Sequence, residues 1–277
     1  MFRFATTALL GLLMTLQCSY AATSANEPVS LDSGFHQMYN LDFAAAHKTF
    51  ETFQELHPND PLGAASNAAA YLFSEFERLH ILELDLFTDN QRLENLSRDS
   101  ADPKVKAAFD SELAKADDIA KRVLSESADD RNALFARLLA EGLRGDYAVL
   151  IEKRNRAGLG FLQSSRSIAE KLIAIDPTYS DAYLAIGIEN YLLGLRSAPS
   201  RWLLRLSGSQ TNKEKGIDAL KRTAEEGRYL KPYARLLMAI AALRDRDNRK
   251  AKQILAELAK EFPQNPLYRL ELARIQS

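Results

Sequence analysis

Asn67, Tyr71 and Glu75 stand four residues apart, so on a helix an amide, a phenol and a carboxylate line one face. Such a face can hydrogen-bond an extended chain laid across it. Ala64, Ala65, Ala68, Ala69 and Ala70 surround the three and argue equally for tight packing. A second polar set, Glu189, Asn190 and Tyr191, follows Gly187 and Ile188. Asn190 carries both a donor and an acceptor, which is what a peptide backbone needs; the alternative is that Asn190 and Tyr191 satisfy neighbouring helix ends. A third set, Arg201, Trp202 and Arg205, interleaves with Leu203, Leu204 and Leu206. It reads as a lid filling a gap with Trp202, a docking patch for a partner, or a short contact with anionic lipid. Lys153, Arg154, Arg156 and Arg166 gather around an expected helix break at Gly158–Gly160, as a solvated face or a contact for an acidic partner.

The residue inventory argues against several chemistries. The four histidines, His36, His47, His57 and His80, lack the i, i+4 spacing of a helical metal pair, so no metal site is expected. Gly158-Leu159-Gly160 lacks the third glycine of a phosphate loop, and no Gly-x-Ser-x-Gly elbow occurs. Asp117-Asp118 and Asp129-Asp130 read as caps or solvated acids. The expectation is a protein without a cofactor that is not an enzyme. With 36 basic against 37 acidic residues, the chain has no electrostatic footprint for nucleic acid.

The elements that would position these groups are helices. Apolar residues recur at three- and four-residue spacing from near Ser33 to Ile275, with glycine and proline between the runs and no alternating β-branched stretches. The class is all-α. Ahead of this region, Arg3, an uncharged apolar run over Ala5–Leu16 and the small residues Ser19 and Ala21 have the layout of a secretory signal peptide. Cleavage is expected after Ala21, in preference to lipidation of Cys18, the only cysteine. The organisation read from the sequence is a signal peptide at 1–21, a flexible stretch at 22–32 and one helical domain at 33–277, with a segment inserted at 196–216. The location would be periplasmic or secreted, and no later stretch is long enough to cross a membrane.

Within that domain, Asp42 precedes Ala46, Phe50, Phe53 and a closing Pro58. Pro177 leads into Tyr183, Ile186 and Gly187, and Ala251 leads to Pro263. These marks, with Gly34, resemble the tetratricopeptide repeat, a helix–turn–helix unit of about 34 residues. The proline spacing is not a multiple of that unit, so the array would be irregular, with two extensions: a helix running on over Tyr71–Phe87, and Arg196–Gly216. The resemblance implies a right-handed α-solenoid of antiparallel helix pairs. First helices would line a concave groove, and a protein or peptide segment would be the partner, held by Asn67, Tyr71, Glu75, Glu189, Asn190 and Tyr191. A structural subunit of a cell-envelope assembly, docking by the convex face or by 196–216, is the alternative. A small-ligand protein comes third.

Overall fold

The computed structural model describes residues 29–83, 101–195, 206 and 208–276. The expected signal peptide and Cys18, the turn expected at Thr88–Gln91, and Arg201, Trp202 and Arg205 lie outside them. Among the described residues there are eleven α-helices and no strand. They are α1 (Leu31–Tyr39), α2 (Phe43–Leu56), α3 (Leu62–Arg78), α4 (Pro103–Glu126), α5 (Arg131–Asp146) and α6 (Asn155–Ile175). The remainder are α7 (Tyr183–Gly194), α8 (Lys213–Glu226), α9 (Lys231–Arg244), α10 (Asn248–Glu261) and α11 (Pro266–Gln276). A π-turn at Tyr147–Ile151 separates α5 from α6, and a 3-10 turn at Ser180–Ala182 leads into α7. None of these helices is long and apolar enough to cross a membrane.

Local chemistry accounts for most boundaries. Asp42 accepts from Ala45 N at 3.1 Å, Asp130 from Ala133 N at 2.8 Å and Asp247 from Lys250 N at 3.0 Å, each satisfying an amide that the first helical turn leaves free. Pro103 occupies the first turn of α4 behind Asp102, as its missing N–H allows. Helices α2, α6 and α10 stop just before Pro58, Pro177 and Pro263. The first helix starts at Leu31, inside the stretch expected to be flexible, because Ser30 caps it through Ser33 N at 3.2 Å.

Two expectations are corrected. The helix expected to run on over Tyr71–Phe87 stops at Arg78. His80 adopts φ 58°, its N–H reaches Glu77 O at 3.0 Å, and Ile81 N–H reaches Phe76 O at 2.8 Å. That pair of bonds closes the last carbonyls and turns the chain away. There is also no helix break at Gly158–Gly160: α6 runs straight through. Gly158 serves close approach instead, since a Cβ there would stand 2.1 Å from Val149 Cγ2 on the π-turn.

The left-handed closure of α3 recurs at α1 and α9, where Leu41 (φ 64°) and Arg246 (φ 61°) take the same position. A side chain there costs about 1 kcal/mol that glycine avoids. Arg246 is exposed. Arg246→Gly is therefore expected to raise stability by about 0.5–1 kcal/mol in urea unfolding; a loss would mean that the arginine side chain contributes more than its backbone costs.

Each helix packs on the next along the chain from α1 to α11, and α3 also touches α1 and α5. Small residues bring the pairs close: a Cβ on Gly34 would lie 2.3 Å from Phe50 Cε1, and one on Gly187 2.8 Å from Leu220 Cδ2. Helices α3, α5, α7 and α9 are mostly buried, whereas α2, α4, α6, α8 and α10 keep an exposed face. The first described helix meets the turns that precede α9 and α11. Tyr39 OH on α1 donates to Tyr229 O at 3.1 Å, Asn265 Nδ2 donates to Tyr39 O at 2.9 Å, and Arg228 grips Asp32 through two bonds of 2.9 and 2.7 Å. Tyr229, in the turn before α9, and Tyr233, in its first turn, lie against α1, α3 and α5. Their rings lie 5.1 Å from Phe35, 6.1 Å from Phe135 and 5.6 Å from Phe73.

Candidate functional site

Three polar clusters lie on this frame. The first joins side chains of α2, α3 and α4. Gln54 on α2 donates from Nε2 to Glu112 Oε2 on α4 at 3.0 Å. His47 lies with its ring centroid 4.0 Å from that of Tyr71, and its Nδ1 is 2.6 Å from Asn67 Oδ1. With that oxygen accepting, Nδ1 of His47 is the donor. His47, Tyr71 and Glu112 are half-buried. Asn67 (1% exposed) and Gln54 (7%) lie behind them. Burial pushes the Glu112 carboxyl up, against the pull of Lys115 and of the Gln54 and Asn67 amides, and Glu51 adds to the rise. Burial also raises the Tyr71 phenol, helped by the charges of Glu51 and Glu112. Two buried atoms here have no hydrogen-bond partner: Gln54 Oε1 and Asn67 Nδ2.

Glu75 belongs elsewhere. Although it shares a helix face with Asn67 and Tyr71, its carboxylate holds Arg78 Nε and Nη2 at 2.8 and 2.7 Å and Asp102 N at 2.8 Å. Burial would raise it, but the Arg78 bonds and the Asp102 amide outweigh that and hold it below the usual carboxylate range. Its task is to seat the start of α4.

The second cluster surrounds Glu189 and Asn190. Glu189 is fully buried, with Oε2 2.5 Å from Arg166 Nε and Oε1 accepting from Gln210 N at 3.3 Å. Burial raises its carboxyl, and Arg166 opposes the rise. Asn190 donates to Ile186 O at 3.1 Å and to Gln210 Oε1 at 2.9 Å, and accepts from Asn212 N at 3.1 Å. Both functions of its amide are engaged by its own chain, fastening residues 208–212 onto α7. Tyr191 is buried, and its hydroxyl has no partner. The basic group around Gly158 disperses: Arg166 turns inward to Glu189 and Glu170, while Arg154 pairs with Glu152. Beyond this cluster, Leu192 (48%), Leu195 (37%) and Leu206 (66%) are exposed.

The third cluster lies where α5 and α9 meet the turn before α9. Asp181 accepts three backbone amides, from Arg228 N at 3.1 Å, Tyr229 N at 3.2 Å and Leu230 N at 2.9 Å. Asp146, at the end of α5, accepts from Tyr233 OH at 3.3 Å. Burial pushes its carboxyl up to about 7, with the Tyr233 bond pulling the other way.

Of the residues singled out in the sequence, Asn67 and Tyr71 come together around His47, and Arg166 meets Glu189. Glu189, Asn190 and Tyr191 lie far along the chain from them in a separate cluster. His47, Gln54, Glu112 and Asp146 carry no signal of their own in the sequence, because each meets its partner across helices. Among the described residues, no group of three or more histidines, cysteines or acids gathers as metal ligands. No protein-family model matches the chain, and no curated protein matches it.

Proposed function

We propose that the chain is an exported, tetratricopeptide-like scaffold, periplasmic or secreted, that holds a protein partner on its outer helices. Its helix pairs would form the right-handed solenoid that the repeat marks imply, wound tightly enough for α1 to meet the turns that precede α9 and α11. The observation that carries this reading is the placement of Tyr229 and Tyr233 against Phe35, Phe73 and Phe135. A partner laid along the inner faces of α1, α3 and α5 would first have to displace these rings. The outer helices present their exposed faces without any such rearrangement.

A photoreactive residue in place of exposed Glu51, on α2, should give one discrete crosslinked band in intact producing cells. The same residue at Leu236, beside Tyr39 and Tyr233 on the inner side, should give none. A band from Leu236 alone would overturn the outer-surface reading in favour of a concave groove.

A second reading is supported by the exposed Leu192, Leu195 and Leu206: a structural subunit of an envelope assembly that docks near the 196–216 extension. Leu192→Lys with Leu195→Lys would release such a subunit from its assembly and leave the Glu51 crosslink intact.

A further inference from the structure

A groove of about 300 Å³ lies over α5, between α4 and α6. Both of these helices pack on α5 and neither packs closely on the other, which leaves the gap. Leu134, buried on α5, forms the floor, and half-buried Leu124 and Ile168 form the walls. The rim is basic and polar. Arg137 and Ser167 are exposed there, and their side chains form no hydrogen bond or ion pair with a described residue. Lys171 reaches from α6 to Ala128 O at 2.6 Å and stands 3.4 Å from Asp129 Oδ1. No described acid lines the groove. The nearest acids along the same helices are engaged elsewhere, Glu141 by Arg144 and Glu170 by Arg166. An apolar slot therefore opens beside an arginine whose charge the chain leaves uncompensated.

We propose that this groove docks a segment of the partner protein in which an acidic side chain adjoins a large aliphatic one. The acid meets Arg137 and Ser167, and the aliphatic side chain enters between Leu124, Leu134 and Ile168. The inference rests on the outer-surface reading and specifies its place and chemistry. Volume and shape select the occupant: small-molecule sites run from about 300 to 1,000 Å³ and enclose their ligand, whereas this groove has the lowest such volume and is open to solvent. It suits one side chain and its neighbour on a passing backbone. Charge selects the acid. A guanidinium fork can donate two parallel bonds to a carboxylate, and the Ser167 hydroxyl adds a third donor. A basic segment would meet like charge from both Arg137 and Lys171. Leu134 and Arg137 stand one turn apart on α5, so the apolar and charged halves of the site keep a fixed spacing.

The test uses the purified chain and two blocked tripeptides. Acetyl-Leu-Glu-Leu-amide, titrated at pH 7 and low salt, should give saturable NMR shifts at the Ile168 methyl groups and the Ser167 amide. Acetyl-Leu-Gln-Leu-amide, the neutral isostere, should bind about fivefold more weakly, the worth of one exposed ion pair. Arg137→Gln removes an unpaired, exposed side chain, so the circular dichroism spectrum should not change, and the preference for the acidic peptide should vanish. Leu124→Ala should weaken both peptides alike and leave the preference in place. Equal binding of the two peptides by the wild type, a preference that survives Arg137→Gln, or no saturable shift at tens of millimolar would each overturn the assignment. Saturable binding of 4-phenylbutyrate where both tripeptides fail would overturn it too, in favour of a small apolar carboxylate. A Glu51 crosslink without peptide binding removes this groove and spares the outer-surface reading; peptide binding with a crosslink only from Leu236 does the reverse.

Discussion

Replacing Asp181 with alanine is expected to cost about 3–5 kcal/mol of folding stability, enough to leave much of the protein unfolded at 37 °C. The carboxylate accepts the amides of Arg228, Tyr229 and Leu230 on the turn that launches α9. Without it, the amides of Tyr229 and Leu230, which are buried, lose their acceptor where water cannot replace it. The damage should spread, because the same turn carries Tyr229 between Phe35 and Phe135 and supplies Arg228 to Asp32. Asp181→Asn, which keeps one acceptor oxygen, should lose roughly half as much. Urea unfolding of the two variants checks the order. A loss under about 1 kcal/mol for the alanine variant would show that the turn is held by its aromatic packing instead.

Asp146 supplies the second large effect, and its sign depends on pH. Its folded carboxyl titrates at about 7, above the ordinary value of 3.8, because burial disfavours the charge and one phenol bond offsets only part of that. The fold therefore prefers the protonated acid. Below about pH 4 the preference carries no penalty. Stability then falls as the pH rises toward 7, and above 7 the loss is complete, since both folded and unfolded states are ionised. A shift of this size corresponds to about 4 kcal/mol, and because water reaches the open edge of Asp146, about 2–4 kcal/mol is expected. Asp146→Asn should match the wild type near pH 4 and exceed it by that amount at pH 8, with Tyr233 donating to the new amide oxygen. Unfolding midpoints that differ equally at both pH values would refute a titration origin. The π-turn that begins at Tyr147 places this acid one residue before irregular helix, a position where chains commonly tolerate strain for a purpose other than stability.

The helical elements were largely legible in the sequence. Asp42, Asp102 and Pro103 mark helix starts, and Pro58, Pro177 and Pro263 follow helix stops, because a cap or a missing N–H acts within four residues of itself. Where reading failed locally, it failed on two marks that carry two meanings. Histidine at His80 closes α3 in a position that glycine usually marks, so the sequence gives no stop at Arg78. Glycine at Gly158 has the type of a helix break, yet it serves contact with Val149.

The polar sites divide along the same line. Asn67, Tyr71 and Glu75 share one face by helical period alone, yet Glu75 is spent on Arg78 and Asp102, while His47 and Glu112 join the other two from different helices. Asn190 was identified for its paired donor and acceptor, and those two functions meet Gln210 and Asn212 of its own chain. Sequence by itself determined that the chain is all-α, where most of its helices begin and end, and which side chains could offer hydrogen bonds. Only the tertiary structure decided which of them meet, and that Tyr229 and Tyr233 come to rest against α1, α3 and α5. The reason is range. Capping and periodicity are settled within a turn or two, whereas a contact such as Tyr39 with Asn265, 226 residues apart, depends on the summed angle of every intervening helix pair.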